Sequence, residues 1–365
     1  MSKTTKSLEK FADDQAAARY VENQEIARAN RVLRAELDGV RSRLVSATAD
    51  VESAHRELAL YERDYAQRPD WLKSPKSTKE NHGTLVAMFS DAHYGEVVSP
   101  AEMDGYNKYD LRIAELRTER FFRRTITLAR DFLAGVKYDG IVLALNGDIV
   151  SGDIHDELVE TNEASTYETI LWAVPRLAAG IELFRKEFGR VHVVSAPGNH
   201  GRNSQKPRYK KRSANNADTL IGRLVARQFD TVPGVSFDIP ETIDVDFKVY
   251  GSRFTMEHGE EFRFNGTSEI GSLGPVKRGT MRKQTQKTAE GKPFDYNLVS
   301  HFHQYVPADT QGFVMNGSIK GYDEYARGQK FRPELPKQAL MVVTPEFGVS
   351  TEMPVFVADR KAEGW

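Results

Sequence analysis

Five short stretches hold side chains that can do chemistry together. They are SDAH with Asp91 and His93, GD with Asp148, GNH with Asn199 and His200, a lone His258, and HFH with His301 and His303. Carboxylate, imidazole and amide groups are oxygen and nitrogen ligands for divalent cations. The chain of 365 residues contains no cysteine, which excludes disulfides, zinc–thiolate sites and thiol nucleophiles at once. Any metal must therefore be held by nitrogen and oxygen. Singly, each stretch has a plainer explanation. DxH can cap a helix, and GD and GNH suit turns. Their order along the chain is what discriminates.

Each stretch follows a short apolar run. TLVAMF (84–89) precedes Asp91, IVLALN (141–146) precedes Asp148, VHVVSA (191–196) precedes Asn199, FTME (254–257) precedes His258, and NLVS (297–300) precedes His301. Helical patterns alternate with these runs, which predicts an α/β domain with buried strands. In such sheets ligands bind beyond the carboxyl ends of the strands, so five strands can deliver Asp, Asn and His to one place. QALMVVTP (338–345) and MPVFVAD (353–359) read as late strands, and His192, inside a strand, as structural.

The series D-x-H, GD, GNH, His, H-x-H resembles the calcineurin-like metallophosphoesterases, from about residue 84 to about residue 325. MNGS (315–318) is similar to the Asn-Gly-Ser that often follows the last histidines there, and GDIVSGDIHDEL with GYDEYA looks most like the phosphoesterases of tailed phages. The superfamily also includes an Mre11/SbcD-like nuclease branch. The resemblance implies a four-layer αββα sandwich of two mixed sheets flanked by helices. It implies one cation held by Asp91, His93, Asp148 and His303, and a second held by Asp148, Asn199, His258 and His301, with Asp148 bridging. Two cations about 3.5–4 Å apart orient a shared water for in-line attack and stabilise the charge on phosphoryl oxygens. His200 would then donate a proton to, or hydrogen-bond, the leaving oxygen. Mn²⁺ is the expected metal, with Fe, Zn, Ni and Mg as alternatives. Gly201 stands where the family commonly has an acid to orient that histidine, so Asp153, Asp156 or Glu157 would have to serve; Ser300 replaces a usual glycine.

Two runs of positive charge bear on the substrate. Arg202, Lys206, Arg208, Lys210, Lys211 and Arg212 follow GNH directly, and VKRGTMRKQTQK (276–287) adds Lys277, Arg278, Arg282, Lys283 and Lys287. Basic loops are ordinary solvated surface in many proteins. Two of them beside a phosphoester-cleaving site favour a polyanionic substrate, with backbone contacts that are sensitive to salt. Tyr209 is placed to stack on a base. The expected activity is a phosphodiesterase, a nuclease acting on DNA. The alternatives are a phosphomonoesterase acting on nucleotides or phosphoproteins, and a scaffold whose metal is structural. Helix 110–133 carries Arg112, Arg117, Arg120, Arg123 and Arg124 with interspersed Glu and is expected to present an ordinary solvated face, while His155 is expected in a turn.

The remaining chain organises around this domain. Residues 1–65 are helical, with two interleaved seven-residue series: Ile26, Leu33, Val40, Ala47, Ala54, Tyr61 and Asn30, Leu37, Leu44, Val51, Leu58, Tyr65. A coiled coil of about 60 Å joining a homo-oligomer is expected, against a helix or hairpin folded back on the main domain. Residues 66–83 read as a linker and 84–365 as the catalytic domain. With 51 Lys+Arg against 52 Asp+Glu the chain is no global polycation, so any nucleic-acid contact must be local. The chain shows neither a signal-peptide core nor an apolar span, which predicts a cytoplasmic protein without membrane contact (host cytoplasm, if phage-encoded).

Overall fold

The structure is a computed structural model that describes residues 3–63, 69–73, 81–262, 273–308 and 312–365. The chain divides into two compact units, Met1–Arg68 and Pro69–Trp365. The first holds a single helix, α1 (Lys3–Arg63). Its described side chains between 22 and 52 are all exposed, including the members of the two series that fall in that stretch. Tyr65 and most of the expected linker lie outside the described residues. Pro69–Lys73, assigned to that linker by sequence, belong to the second unit. Leu72 is buried there, and its carbonyl accepts from Tyr250 N at 2.9 Å.

The second unit begins with β1 (His82–Phe89), α2 (Leu111–Thr127), β2 (Lys137–Asn146), α3 (Asp156–Thr161), α4 (Thr166–Phe188) and β3 (Val191–Ala196). After it come α5 (Ala217–Gln228), β4 (Val235–Asp238), β5 (Asp244–Val249), β6 (Ser252–Glu257) and α6 (Leu273–Ala289). The chain ends with β7 (Tyr296–Val299), β8 (Phe313–Met315), α7 (Glu324–Gly328), β9 (Lys337–Thr344), β10 (Gly348–Phe356) and α8 (Arg360–Glu363). All five expected site strands and both late strands are present. They form two mixed sheets, of order β10-β9-β1-β2-β3-β4 and β5-β6-β7-β8.

Strands β1, β2 and β3 run parallel in the first sheet, and β6 and β7 run parallel in the second. Apolar runs without alternation arise because both faces of the first sheet are covered. Leu85, Ala87, Phe89, Ile141 and Leu143 pack with residues of α2, α4 and α5. The intervening Val86, Met88, Val142 and Ala144 pack against Phe247, Phe254, Met256 and Leu298 of the second sheet. Val276 of α6 closes the outer face of that sheet on Val299, Phe313 and Met315. The layers are thus helices, sheet, sheet, helix.

Two sequence expectations fail in this unit. Arg117 is not on a solvated face: it is fully buried, bonds Glu363 at 3.1 Å and donates to the Ile319 and Lys320 carbonyls. The run 276–287 is not a loop but most of α6, and Lys283 and Lys287 point inward. Lys283 pairs with Asp244 at 2.5 Å and Glu257 at 3.1 Å, and Lys287 with Asp246 at 2.8 Å. Cations buried in this way must be paired, which is why spacing in a basic run does not equal exposure.

Candidate metal centre

Asp91 and His93 leave the end of β1, Asp148 that of β2, and Asn199 and His200 that of β3. His258 follows β6, and His301 and His303 follow β7. The structure brings all eight to one place. His93 Nε2 lies 3.1 Å from His303 Nε2 and 3.9 Å from Asp148 Oδ2. Asp91 Oδ1 lies 3.3 Å from His303 Nε2, and Asp148 Oδ2 lies 2.8 Å from His258 Nε2. The imidazoles of His258 and His301 are 5.2 Å apart, and those of His93 and His200 4.4 Å. Three ligand triads result: Asp91–His93–His303, His93–Asp148–His200 and Asp148–His258–His301.

The backbone at these positions is unusual. Among the described residues nine non-glycine positions have left-handed φ, and five are Asp91, His93, Asp148, His301 and His303, with φ of 51°, 45°, 50°, 74° and 53°. Each such conformation costs on the order of 1–3 kcal/mol, and such residues cluster at functional sites. Here the turn aims consecutive strand-end side chains inward.

Burial and charge set the protonation pattern. Burial pushes His258 down, but the facing Asp148 carboxylate outweighs it and holds the group up at about 10. Burial likewise works to raise Asp148, yet His258 and His200 hold it well below the usual carboxylate range. His301 is brought down to about 3 by burial and by the neighbouring His258 charge, and burial also puts His93 well below its ordinary value. Buried Asn199 Oδ1 has no hydrogen-bond partner, nor has His93 Nδ1. An unpartnered buried amide oxygen in the same turn region as clustered carboxylates and the unprotonated His93 and His301 fits a divalent cation.

Groups behind the site hold these residues in place, and several were not singled out by sequence. Asp218 accepts from Asp148 N, Ile149 N and Gly198 N at 3.1, 3.0 and 2.9 Å, and Asn216 Nδ2 donates to the Gly198 carbonyl at 2.8 Å. They join the β2 and β3 ends, where contact is so close that a Cβ on Gly198 would lie 2.2 Å from Asp148 Oδ1. Ser90 Oγ donates to Asp91 Oδ2 at 2.5 Å and is held by Asn316 of MNGS. Glu96 Oε2 stands 3.5 Å from His93 Nδ1, and Lys320 Nζ bonds Glu96 at 2.7 Å and also Asp323. GYDEYA contains Asp323, while Lys320, just before it, was not singled out. For Asn216 and Asp218 the only sequence signal is a helix N-cap pattern.

The departure at Gly201 has a structural answer. His200 Nδ1 meets the Ser151 carbonyl at 2.7 Å, so a backbone group, and not Asp153, Asp156 or Glu157, orients the ring. A Cβ at 201 would lie 2.5 Å from Asn216 Oδ1 and 2.9 Å from Asp218 Oδ2, so a side chain there would displace the group that ties the loops together. His155 precedes α3 and stands 5.7 Å from the His200 ring.

The expected substrate cations divide into two sets. Arg202 Nη1 bonds Glu260 at 2.7 Å, and Arg212 Nη2 bonds Glu260 at 2.5 Å and pairs with Glu261. Both are anchors that fasten the 201–216 loop just beyond His258, a correction to their expected role as clamps. Lys206, Arg208, Lys210, Lys211 and, on α6, Lys277 and Arg278 are exposed, as is Tyr209 at 87%. Arg278 and Arg282 line a cavity of about 300 Å³ together with Glu261 and Phe262.

No protein-family model matches the chain, and comparison with curated proteins finds no match. Among solved structures it is similar to vacuolar protein sorting 29 from Cryptosporidium parvum, at 13% identity over 72% of this chain and 86% of that one, TM-score 0.28. It is also similar to an archaeal phosphodiesterase, at 11% identity over 74% and 99%, TM-score 0.33. A third similarity is to a dimetal phosphatase from Danio rerio, at 10% identity over 75% and 99%, TM-score 0.34. Among the described residues no helix is long and apolar enough to cross a membrane.

Proposed function

We propose that the chain is a calcineurin-like metallophosphoesterase that cleaves phosphodiesters, with nucleic acid, DNA first, as its substrate. One observation carries this reading. Asp148 stands between two ligand sets, its Oδ2 facing His258 on one side and His93 on the other. Asp91, His93, Asp148 and His303 would hold one divalent cation, and Asp148, Asn199, His258 and His301 the second. The donor set suits Mn²⁺, which is the metal we favour.

When bound, the two cations supply positive charge to the phosphoryl oxygens and activate water as nucleophile. The chain does the rest. Asp218 holds the Asp148 backbone and the His200 amide holds its carboxylate, so the charge cannot swing away when the substrate arrives. His200, with Nδ1 on the Ser151 carbonyl, keeps Nε2 for the leaving oxygen, to which it passes a proton. Lys206, Arg208, Lys210 and Lys211 supply backbone contacts on the rim of the loop that carries His200.

One feature favours a phosphomonoesterase: with Arg202 and Arg212 committed to Glu260 and Glu261, the loop holds fewer free cations than its sequence suggests. The two readings are separated by hydrolysis of bis-p-nitrophenyl phosphate and p-nitrophenyl phosphate, with Mn²⁺ and with chelator, beside circular single-stranded and plasmid DNA. Metal-dependent diester cleavage with attack on the circles is expected. Turnover of the monoester alone, with DNA intact, would replace the nuclease reading by the phosphatase one.

A further inference from the structure

Helix α1 presents a continuous apolar seam. Ile26, Leu33, Leu37, Val40, Leu44 and Val51 are each more than half exposed. They are spaced alternately by four and three residues, apart from one substitution by Asn30 and one by Ala47. In heptad terms Asn30, Leu37, Leu44 and Val51 are a positions, and Ile26, Leu33, Val40 and Ala47 are d positions. Gly39 falls at an outward position, with nothing within 4 Å of where its Cβ would be, so it does not interrupt the seam.

We infer that α1 pairs with α1 of a second copy of this chain, parallel and in register, as a two-stranded coiled coil. Three observations select this partner. Asn30, Leu33, Arg34 and Leu37, with Asp38, frame a hollow of about 240 Å³ on the helix. Those four residues are an a, d, e, a set, the hole that receives a d-position knob. In a parallel pair the knob is Leu33 of the partner subunit, and the arrangement is reciprocal.

Charge and polarity choose the direction. In register, Glu36 of one helix faces Arg41 of the partner subunit, and the symmetry repeats this attraction. Within residues 22–52 no like-charged g–e′ pair arises. Asn30 meets Asn30 of the partner subunit, and the two amides satisfy each other, which is the known register-fixing device for two strands. The antiparallel alternative that keeps the seams opposed puts Arg34 near Arg41 of the partner subunit. It also leaves Asn30 against an alanine, where an amide has no partner and costs free energy. This inference stands apart from the chemistry of the metal centre.

Because the chain has no cysteine, introduced thiols report pairing without background. The full chain is measured first by light scattering, with twice the 41.2 kDa chain mass expected. Ile26→Cys and Val51→Cys, made separately, are then oxidised; both should cross-link most of the protein, while Arg28→Cys, on the outer face, should not. In the antiparallel pair each thiol would lie roughly 37 Å from its copy, at 1.5 Å per residue over 25 residues, well beyond disulfide reach. A Leu37→Glu/Leu44→Glu variant should be monomeric with an unchanged thermal transition of the second unit. A wild-type monomer, a higher oligomer, a dimer that fails to cross-link at 26 and 51, or a double variant that stays dimeric would each overturn the inference.

Discussion

His200 Nδ1 meets the Ser151 carbonyl oxygen at 2.7 Å, a hydrogen bond in which the ring must be the donor, because a carbonyl can only accept. That places a proton on Nδ1 and leaves Nε2 as the working atom, which gives a proton to the leaving oxygen only when the ring is protonated on both nitrogens. Replacing His200 by Gln should lower kcat about 10²–10⁴-fold on a nucleotide diester, whose leaving group needs a proton. The loss should be much smaller on bis-p-nitrophenyl phosphate, whose leaving group is stable as an anion. Equal losses on the two substrates would show that His200 does not serve the leaving oxygen.

The His258–Asp148 pair predicts how metal enters. With its pKa held up at about 10, His258 carries a proton at neutral pH in the metal-free protein. A cation can bind there only by displacing it, so metal affinity should rise about tenfold per pH unit. Titration calorimetry in two buffers of different ionisation enthalpy should show about one proton released. Asp148→Asn should abolish turnover and weaken binding of both ions; near-normal rate and metal content would remove Asp148 from the bridge.

The basic loop separates into contacts and anchors. Lys206, Lys210 and Lys211 replaced by Ala should reduce the slope of DNA affinity against salt, by about one for each lost phosphate contact, and spare a small model diester. Arg212→Ala should instead weaken both activities and lower thermal stability, since it takes the Arg212 partner from Glu261 and leaves Glu260 with Arg202 alone. An unchanged slope in the triple variant would mean that the loop does not touch the backbone of nucleic acid.

His192 makes stability depend on pH. Burial brings it down to about 4, from an ordinary value of 6.5, so the folded protein keeps it neutral while the unfolded chain takes up a proton. Its stabilising share is therefore full above pH 6.5 and is lost as pH falls towards 4, amounting to about 2 kcal/mol at pH 5. Unfolding free energies from urea titrations at pH 7 and pH 5 should differ by about this amount more in the wild type than in His192→Leu.

Lys320 pairs with both carboxylates of a buried cluster, Glu96 and Asp323. Lys320→Met leaves two carboxylates uncompensated and should cost about 3–5 kcal/mol. Adding Glu96→Gln and Asp323→Asn should restore a large part of that loss, measured by thermal unfolding. A Lys320→Met change of under about 1 kcal/mol would mean that the carboxylates find other partners.

The strands and the eight residues at their ends were legible because each feature is local: an apolar run bounded by a turn, with a ligand-type residue immediately after it. The two-sided burial of β1, β2 and β3 is written in the runs themselves. Side-chain direction in the basic segments was not legible. Arg212 and Lys283 look like Lys210 and Lys277 in sequence, and only the distant Glu260 and Asp244 make them anchors. Arg117 is the same case, since its partner Glu363 is 246 residues away. Asp218 was missed for a related reason. It binds no expected ligand with its own chemistry but gathers three backbone amides from two other segments, and only the assembled fold brings these together.

The left-handed backbone at Asp91, His93, Asp148, His301 and His303 has an evolutionary consequence. Glycine, or asparagine with less strain, would sit more comfortably at every one of these positions, so each is occupied against the preference of the fold. Mutation alone would drift towards the relaxed residues, and only selection for what the side chains do opposes it. A lineage that no longer needed the reaction would lose these five first, while its sheets and helices stayed recognisable.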